Sequence, residues 1–237
     1  MERLKDGSEV ADIRLGRLIN FDDRSRDFPI RTLVETKKPK ARLWRCAIRL
    51  NQGASGSCGG HGGAHELAAQ PAEVPDLTHD FAMKLYWEAQ KIDPWPGGSY
   101  DGAKPFYEGT SILAVLQAMQ KFGYIDNYRW AFGLQDLVLG VGYNGPALMG
   151  TGWYEGMSTP NDAGLIQVTG RVLGGHCYLI DQVIPNRELF GGLNSWGDNW
   201  GVNGRFYISF ACMDRLLHEN GEAAFTLGRH MAPHKLL

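Results

Sequence analysis

The 237-residue chain changes its grammar near residue 137, and this change constrains the fold more than any other feature. Before it the periodicity is helical. DLTHDFAMKLYWEAQKID, from Asp76, sets Leu77, Phe81, Leu85 and Trp87 near helical spacing until Pro94 and Pro96 end it. TSILAVLQAMQKFG, from Thr110, puts Ile112, Leu113, Val115, Leu116 and Met119 on one broad apolar face, with Gly123 as the stop. After it, LVLGVG, GPALMGTGW, LIQVTGRVLGGHCYLIDQVI, ELFGGLNSW and GRFYISF read as short β runs parted by glycine, asparagine and proline. A short helix, MDRLLHEN, then stops at Gly221, and the remainder reads as a loosely held end. Helices followed by strands predict an α+β protein of two lobes, helical over about 51–135 and β over about 136–237, with a cleft between them.

Residues 1–50 show little periodicity and contain Pro29 and Pro39, so they are expected to form an extended arm packed on the domain. Between Arg31 and Arg49 this arm holds seven Lys or Arg against one Glu. A solvated strand explains them, and this stretch is the one candidate for a nucleic-acid or acidic-protein contact. A formal charge of -2 gives no wider pull toward nucleic acid or acidic lipid. No apolar run approaches the roughly 18 residues of a membrane helix, and MERLKDGSEVADIR lacks the apolar core of a secretion signal, so a cytoplasmic protein is expected. Four scattered cysteines, Cys46, Cys58, Cys177 and Cys212, form no CxxC pair and read as free thiols.

Each such thiol is either a small buried hydrophobe or a reactive group. Cys58 sits in NQGASGSCGGHGG, after a glycine turn and ahead of the helix-prone HELAAQPA. A sulfur on the first turn of a helix meets unpaired amides and the positive dipole end, which favour thiolate. The glycines allow close approach of another backbone and leave N–H groups facing outward. A thiol nucleophile needs an imidazole, and His176, at the start of a β run, is the candidate. A histidine base needs a third group to fix its tautomer, and Asn194 in NSWG can accept from one ring nitrogen, with Trp196 roofing that bond. Gln52, six residues before Cys58, can supply an oxyanion donor beside the Cys58 N–H.

The ordered set QG-x-x-GSC, then GH before an apolar strand, then NSWG-x-x-WG-x-x-G-x-F-Y, resembles the papain family of cysteine peptidases. His176 lies 118 residues beyond Cys58 and Asn194 lies 136 beyond it. The resemblance implies a papain-like fold, peptide-bond hydrolysis through Cys58, His176, Asn194 and Gln52, and no cofactor. It also implies main-chain contacts to an extended peptide or protein substrate at Gly56, Ser57, Gly175 and, by a looser match, Gly109. Ser55 stands where many members carry a disulfide cysteine, and Gly59 stands where an aromatic residue follows the nucleophile. These departures resemble the disulfide-free members of bacteria and their phages. They leave open a non-catalytic structural or binding protein, for example a virion component among other virion proteins, and a cell-wall peptide hydrolase. The arm is short for both a mature N-terminal strand and an inhibitory propeptide, so no conventional zymogen is expected.

His61 and His65 lie four apart, a spacing that can bind zinc on a helix, but no further ligands with metal spacing accompany them; no metal is expected. Their alternative role is polar packing beneath the helix. Cys177 alternates to the face opposite His176 and reads as core, as do Cys46 and Cys212.

Overall fold

In the computed structural model, which describes residues 1–234, the first fifty residues wrap both lobes. Strands β1 (Glu2–Arg3) and β2 (Glu9–Val10) form a hairpin, and β3 (Arg17–Leu18) follows. Short helices α1 (Asp23–Arg26) and α2 (Arg31–Val34) lead to β4 (Arg42–Leu43). The basic stretch folds against the β lobe. Arg31 Nε pairs with Asp136 at 2.9 Å, the Lys40 ammonium lies 3.9 Å from the Tyr143 ring centroid, and Trp44 Nε1 donates to the Val141 carbonyl at 2.6 Å.

The helical lobe is built on α3 (Cys58–Ala68), α4 (His79–Ile92), β5 (Thr110–Ser111) and α5 (Ile112–Lys121). Thr78 and Ser111 cap α4 and α5 by accepting from Phe81 N and Ala114 N. Every residue of α3 is buried, which answers why glycine is so frequent there. A Cβ on Gly60 would lie 2.2 Å from the Ala82 carbonyl oxygen and 2.6 Å from Tyr86 Cβ, so α4 crosses α3 where only hydrogen fits. Gly59 faces Val115 and Thr110, whose methyl groups fill the space an aromatic side chain would need.

The β lobe follows with β6 (Ile125–Trp130), α6 (Leu134–Tyr143), β7 (Ala147–Tyr154), β8 (Val172–Ile184), β9 (Leu189–Leu193), β10 (Arg205–Ser209), α7 (Phe210–His218) and β11 (Glu222–Arg229). The seven-stranded sheet runs β10-β9-β8-β7-β11-β6, with β4 paired to β8. All its pairings are antiparallel. The expected barrel-like lobe is thus an open sheet, because β10 and β6 do not pair.

Several elements differ from the sequence reading: β6 falls inside the 51–135 stretch expected to be helical yet pairs with β11, and the arm expected to be extended holds α1 and α2. LVLGVG is not a strand but the body of α6; Leu137, Val138, Leu139 and Val141 are all buried, and a helix apolar on nearly every side has no amphipathic period to separate it from a strand. The segment after Gly221 is not a loose end up to Arg229. EAAFTLGR inserts as β11 between β7 and β6, with Ala223, Ala224 and Phe225 buried. It is also tied to the helical lobe, since Arg229 meets Glu66 of α3 at 2.6 Å and Thr226 donates to the same carboxylate. Residues 235–237 of the expected loose end lie outside the described residues.

If the α3–α4 contact depends on missing side chains, Gly60→Ala should lower unfolding free energy by about 1–3 kcal/mol through overpacking. Urea unfolding would read this, and an unchanged midpoint would contradict it.

Candidate active site

α3 carries Cys58 at its first position, where the thiol meets the Cys177 backbone of β8, the strand that also carries His176. Both are fully buried. Behind the ring, His176 Nε2 lies 2.8 Å from Asn194 Oδ1, and the same oxygen accepts from the Ser195 backbone N–H at 2.8 Å. A backbone N–H can only donate, so the Asn194 oxygen, not its amide nitrogen, faces the ring, and Nε2 must carry the proton. His176 Nδ1 is then a bare, buried acceptor with no hydrogen-bond partner among the described residues. Three aromatic rings enclose the imidazole: Trp153 at 4.7 Å between centroids, Trp196 at 5.0 Å and Tyr178 at 6.2 Å. Trp196 packs at a tilt on the ring and is itself nearly buried.

Gln52 is held from the other side. Its Oε1 accepts from Ser195 Oγ at 2.7 Å, and its backbone N–H donates to the Ser195 carbonyl at 2.8 Å. The Gln52 amide is therefore turned so that Nε2 points into the cleft, where it donates to the Ser55 carbonyl at 2.7 Å and the Arg14 carbonyl at 3.1 Å. Ser195 thus orients both the glutamine and the asparagine.

The cleft is filled by the chain's own arm. Gly16 forms a parallel bridge with Gly175, Thr110 N donates to the Gly16 carbonyl at 3.0 Å, and β3 runs parallel to β5. The fit admits no side chain at Gly16, where a Cβ would lie 2.1 Å from the Gly56 carbonyl oxygen. Leu15 and Leu18 are buried, the Arg14 guanidinium lies 4.0 Å from the Trp196 ring centroid, and Arg17 Nη2 meets Glu222 Oε2 at 2.5 Å. Five residues of the arm, 14–18, lie across the candidate site.

The remaining expected residues fall around this segment. Gly56 N donates to Glu108 Oε2 at 3.1 Å, and Gly109, in the left-handed region at φ +98°, turns the wall that faces Gly16 and Leu18. Tyr86 and Gln90 of α4 fix that wall, because Gly109 N donates to Tyr86 Oη at 2.6 Å and Gln90 Nε2 donates to the Gly109 carbonyl at 3.1 Å. Ser57 is buried, and its hydroxyl lies 3.1 Å from His61 Nδ1. His61 also contacts His79 Nδ1 through Nε2 at 3.0 Å, and His65 Nε2 accepts from Leu50 N at 3.0 Å. Cys46 Sγ donates to the His65 carbonyl at 3.3 Å, Cys177 is buried against Gly62, and Cys212 is half-buried rather than core.

Burial dominates the electrostatics. It pushes the Cys58 thiol up to about 11, against the opposing pull of the Cys177, Gly16 and Gly59 backbones. The sequence expectation of a lowered thiol is reversed here, since covering the sulfur removes the water that would solvate a thiolate. Burial likewise lowers His176 to about 4, with Asn194 opposing it. The covered pair is a neutral thiol and a neutral imidazole.

Sequence reasoning reached Cys58, His176, Asn194, Gln52 and Trp196, which the fold brings together. It missed Ser195, Trp153 and the arm residues. The RL pair repeated on either side of Gly16, in RLGRL, was the available signal for the arm.

The fold is that of the papain-like cysteine proteases. Xylellain, a cysteine protease from Xylella fastidiosa, superposes with a TM-score of 0.69 over 94% of this chain and 99% of its own, at 17% identity. Procathepsin L 3 of Tenebrio molitor larval midgut gives 0.58 over 92% and 77%, at 16% identity. The Carica candamarcensis cysteine protease CMS1MS2, in complex with E-64, gives 0.55 over 81% and 100%, at 15% identity. No protein-family model and no curated protein matches the chain by sequence.

Three histidines, His61, His65 and His176, are held neutral by burial with values near 4, 3 and 4. Below the ordinary imidazole value of about 6.5 the unfolded chain takes up protons that the folded chain refuses. Stability should be full above that pH and fall, on the order of 3 kcal/mol or more, as pH drops toward 4. Urea midpoints between pH 7 and 4 check it; a flat profile from pH 6.5 to 5, above most carboxylate titration, would contradict it.

Proposed function

We propose that this chain is a cysteine peptidase whose N-terminal arm keeps it closed. One observation carries the reading: a peptide carbonyl, that of Arg14, already accepts from Gln52 Nε2 in the cleft that holds Cys58 and His176. The resting pair is neutral because residues 14–18 exclude water from it.

When the arm leaves and a substrate peptide takes its place, the Cys58 proton passes to His176 Nδ1, the nitrogen that the Asn194 bond leaves free. The sulfur attacks the carbonyl carbon, and the developing oxyanion accepts from Gln52 Nε2 and the Cys58 N–H. The proton on Nδ1 goes to the departing amine. Water then adds to the thioester, giving its proton back to Nδ1, and the carboxylic acid leaves with Cys58 restored. Trp153 and Trp196 keep bulk water from the His176–Asn194 bond.

Two outcomes check the assignment. E-64, which one structural neighbour binds, should modify Cys58 in preference to Cys46, Cys177 and Cys212. Labelling spread evenly over the four thiols would sink the reading in favour of a non-catalytic structural or virion protein. In a mixed peptide library read by mass spectrometry, Cys58→Ala should abolish cleavage, and Gln52→Ala should lower kcat by about 10²–10³. Activity on peptidoglycan and none on denatured protein would instead indicate a cell-wall peptide hydrolase.

A further inference from the structure

The two groups proposed to hold the oxyanion, Gln52 Nε2 and the Cys58 N–H, stand at opposite ends of one turn, and the backbone of that turn does little to fix it. Residues 53–56 make no backbone–backbone hydrogen bond among the described residues. Gly53 lies in the left-handed region at φ +62°, and both it and Ala54 are exposed. A line of side chains braces the turn instead. Ser55 Oγ donates to the Gln52 carbonyl at 2.9 Å, Ser55 Oγ and Ser57 Oγ lie 2.6 Å apart, and Ser57 Oγ lies 3.1 Å from His61 Nδ1. His61 Nε2 lies 3.0 Å from Nδ1 of His79, the exposed first residue of α4. Ser57 and His61, in the middle of the line, are fully buried.

One carbonyl fixes the direction of every proton along this line. His61 Nδ1 also lies 2.9 Å from the Ser57 carbonyl oxygen, which can only accept. Nδ1 therefore carries the His61 proton, and Nε2 is bare, since burial keeps the ring neutral down to about 4. The bare nitrogen accepts from His79 Nδ1. Ser57 Oγ shares the His61 proton and gives its own to Ser55 Oγ, whose proton goes to the Gln52 carbonyl. Each donor points the same way, from the surface of α4 to the residue that carries the oxyanion amide, and hydrogen bonds aligned in this manner polarise one another. Without His79, the buried Nε2 of His61 is left unpaired, and the ring that holds Ser57 loses its fixed tautomer.

We propose that His61 and His79 are positioning residues: the line His79–His61–Ser57–Ser55 holds the turn 52–58, and with it the spacing of the two oxyanion donors, from a point on the protein surface. This rests on the cysteine-peptidase reading. Neither histidine reaches the reacting atoms. Their effect falls on the transition state, where the oxyanion forms, so it appears in kcat and leaves KM unchanged.

His79 is exposed, so its replacement tests the line without disturbing the core. In the full chain, His79→Leu cannot donate to His61 and should lower kcat about tenfold, at unchanged KM, on a peptide that the library shows to be cleaved. His79→Asn, whose amide nitrogen takes the place of Nδ1, should stay within about twofold of the parent. No loss in His79→Leu, equal loss in both variants, or a change confined to KM would overturn the proposal. Two further measurements need no cleavage. Nitrogen-15 spectra of the labelled imidazoles should show His61 protonated on Nδ1 and bare on Nε2, and the opposite tautomer refutes the line. Amide hydrogen exchange over residues 53–58 should speed about tenfold in His79→Leu and hold its rate in His79→Asn, whereas equal rates in the parent and His79→Leu count against the brace. The expected tautomer and exchange, with no peptide cleaved by the parent or either variant, would refute the peptidase reading and leave the brace on the turn assigned.

Discussion

Everything at the site depends on how closely α3 can approach its neighbours. The helix is buried on all sides, pressed by α4 and α5 on one flank and by β8 on the other, and that density is reached because glycine faces α4 at Gly60 and Cys177 at Gly62. The same closeness brings Cys58, at the helix start, against the strand that carries His176. A helix with ordinary side chains would stand farther from both layers and open the cleft at its floor. The missing aromatic residue at Gly59 is explained in the same terms, since Val115 and Thr110 already occupy its place.

The opposite wall is organised by one short loop. Residues 194–196 are stitched to residues 51 and 52 by the Asn51–Trp196 bridge and by two bonds between Gln52 and Ser195. Asn194 then fixes the ring of His176, and Ser195 fixes the amide of Gln52. A hydroxyl and a backbone N–H of one serine thereby set the direction of the Gln52 amide and, through Asn194, of the His176 ring, groups whose orientation their own side chains leave free.

The arm and the cleft explain one another. A glycine passes between Gly56 and Gly175, a carbonyl meets Gln52, an arginine lies on Trp196, and a second arginine reaches Glu222. The covering also accounts for the neutral state of Cys58 and His176, both of which owe their shifted proton affinities first to burial. Covering of the cleft and the neutral state of Cys58 and His176 therefore have one physical cause, the exclusion of water by burial.

The sequence by itself determined the two-lobed α+β plan and the ordered set Gln52, Cys58, His176, Asn194 and Trp196, because turn residues, helical periods and motif order are local and survive in one dimension. It could not separate α6 from a strand, since a helix buried all round has no period facing water. Nor could it place β11, whose partners β7 and β6 lie about seventy to a hundred residues earlier and give no local mark. The tertiary structure alone decided that Arg17 meets Glu222, a contact across 205 positions, and that Arg14 and Gly16 lie in the cleft. It also decided that a cysteine at a helix N-terminus is a buried neutral thiol and not a ready thiolate. Proton affinity is set by the water and charge around a group, and those are properties of the packed molecule rather than of the order of its residues.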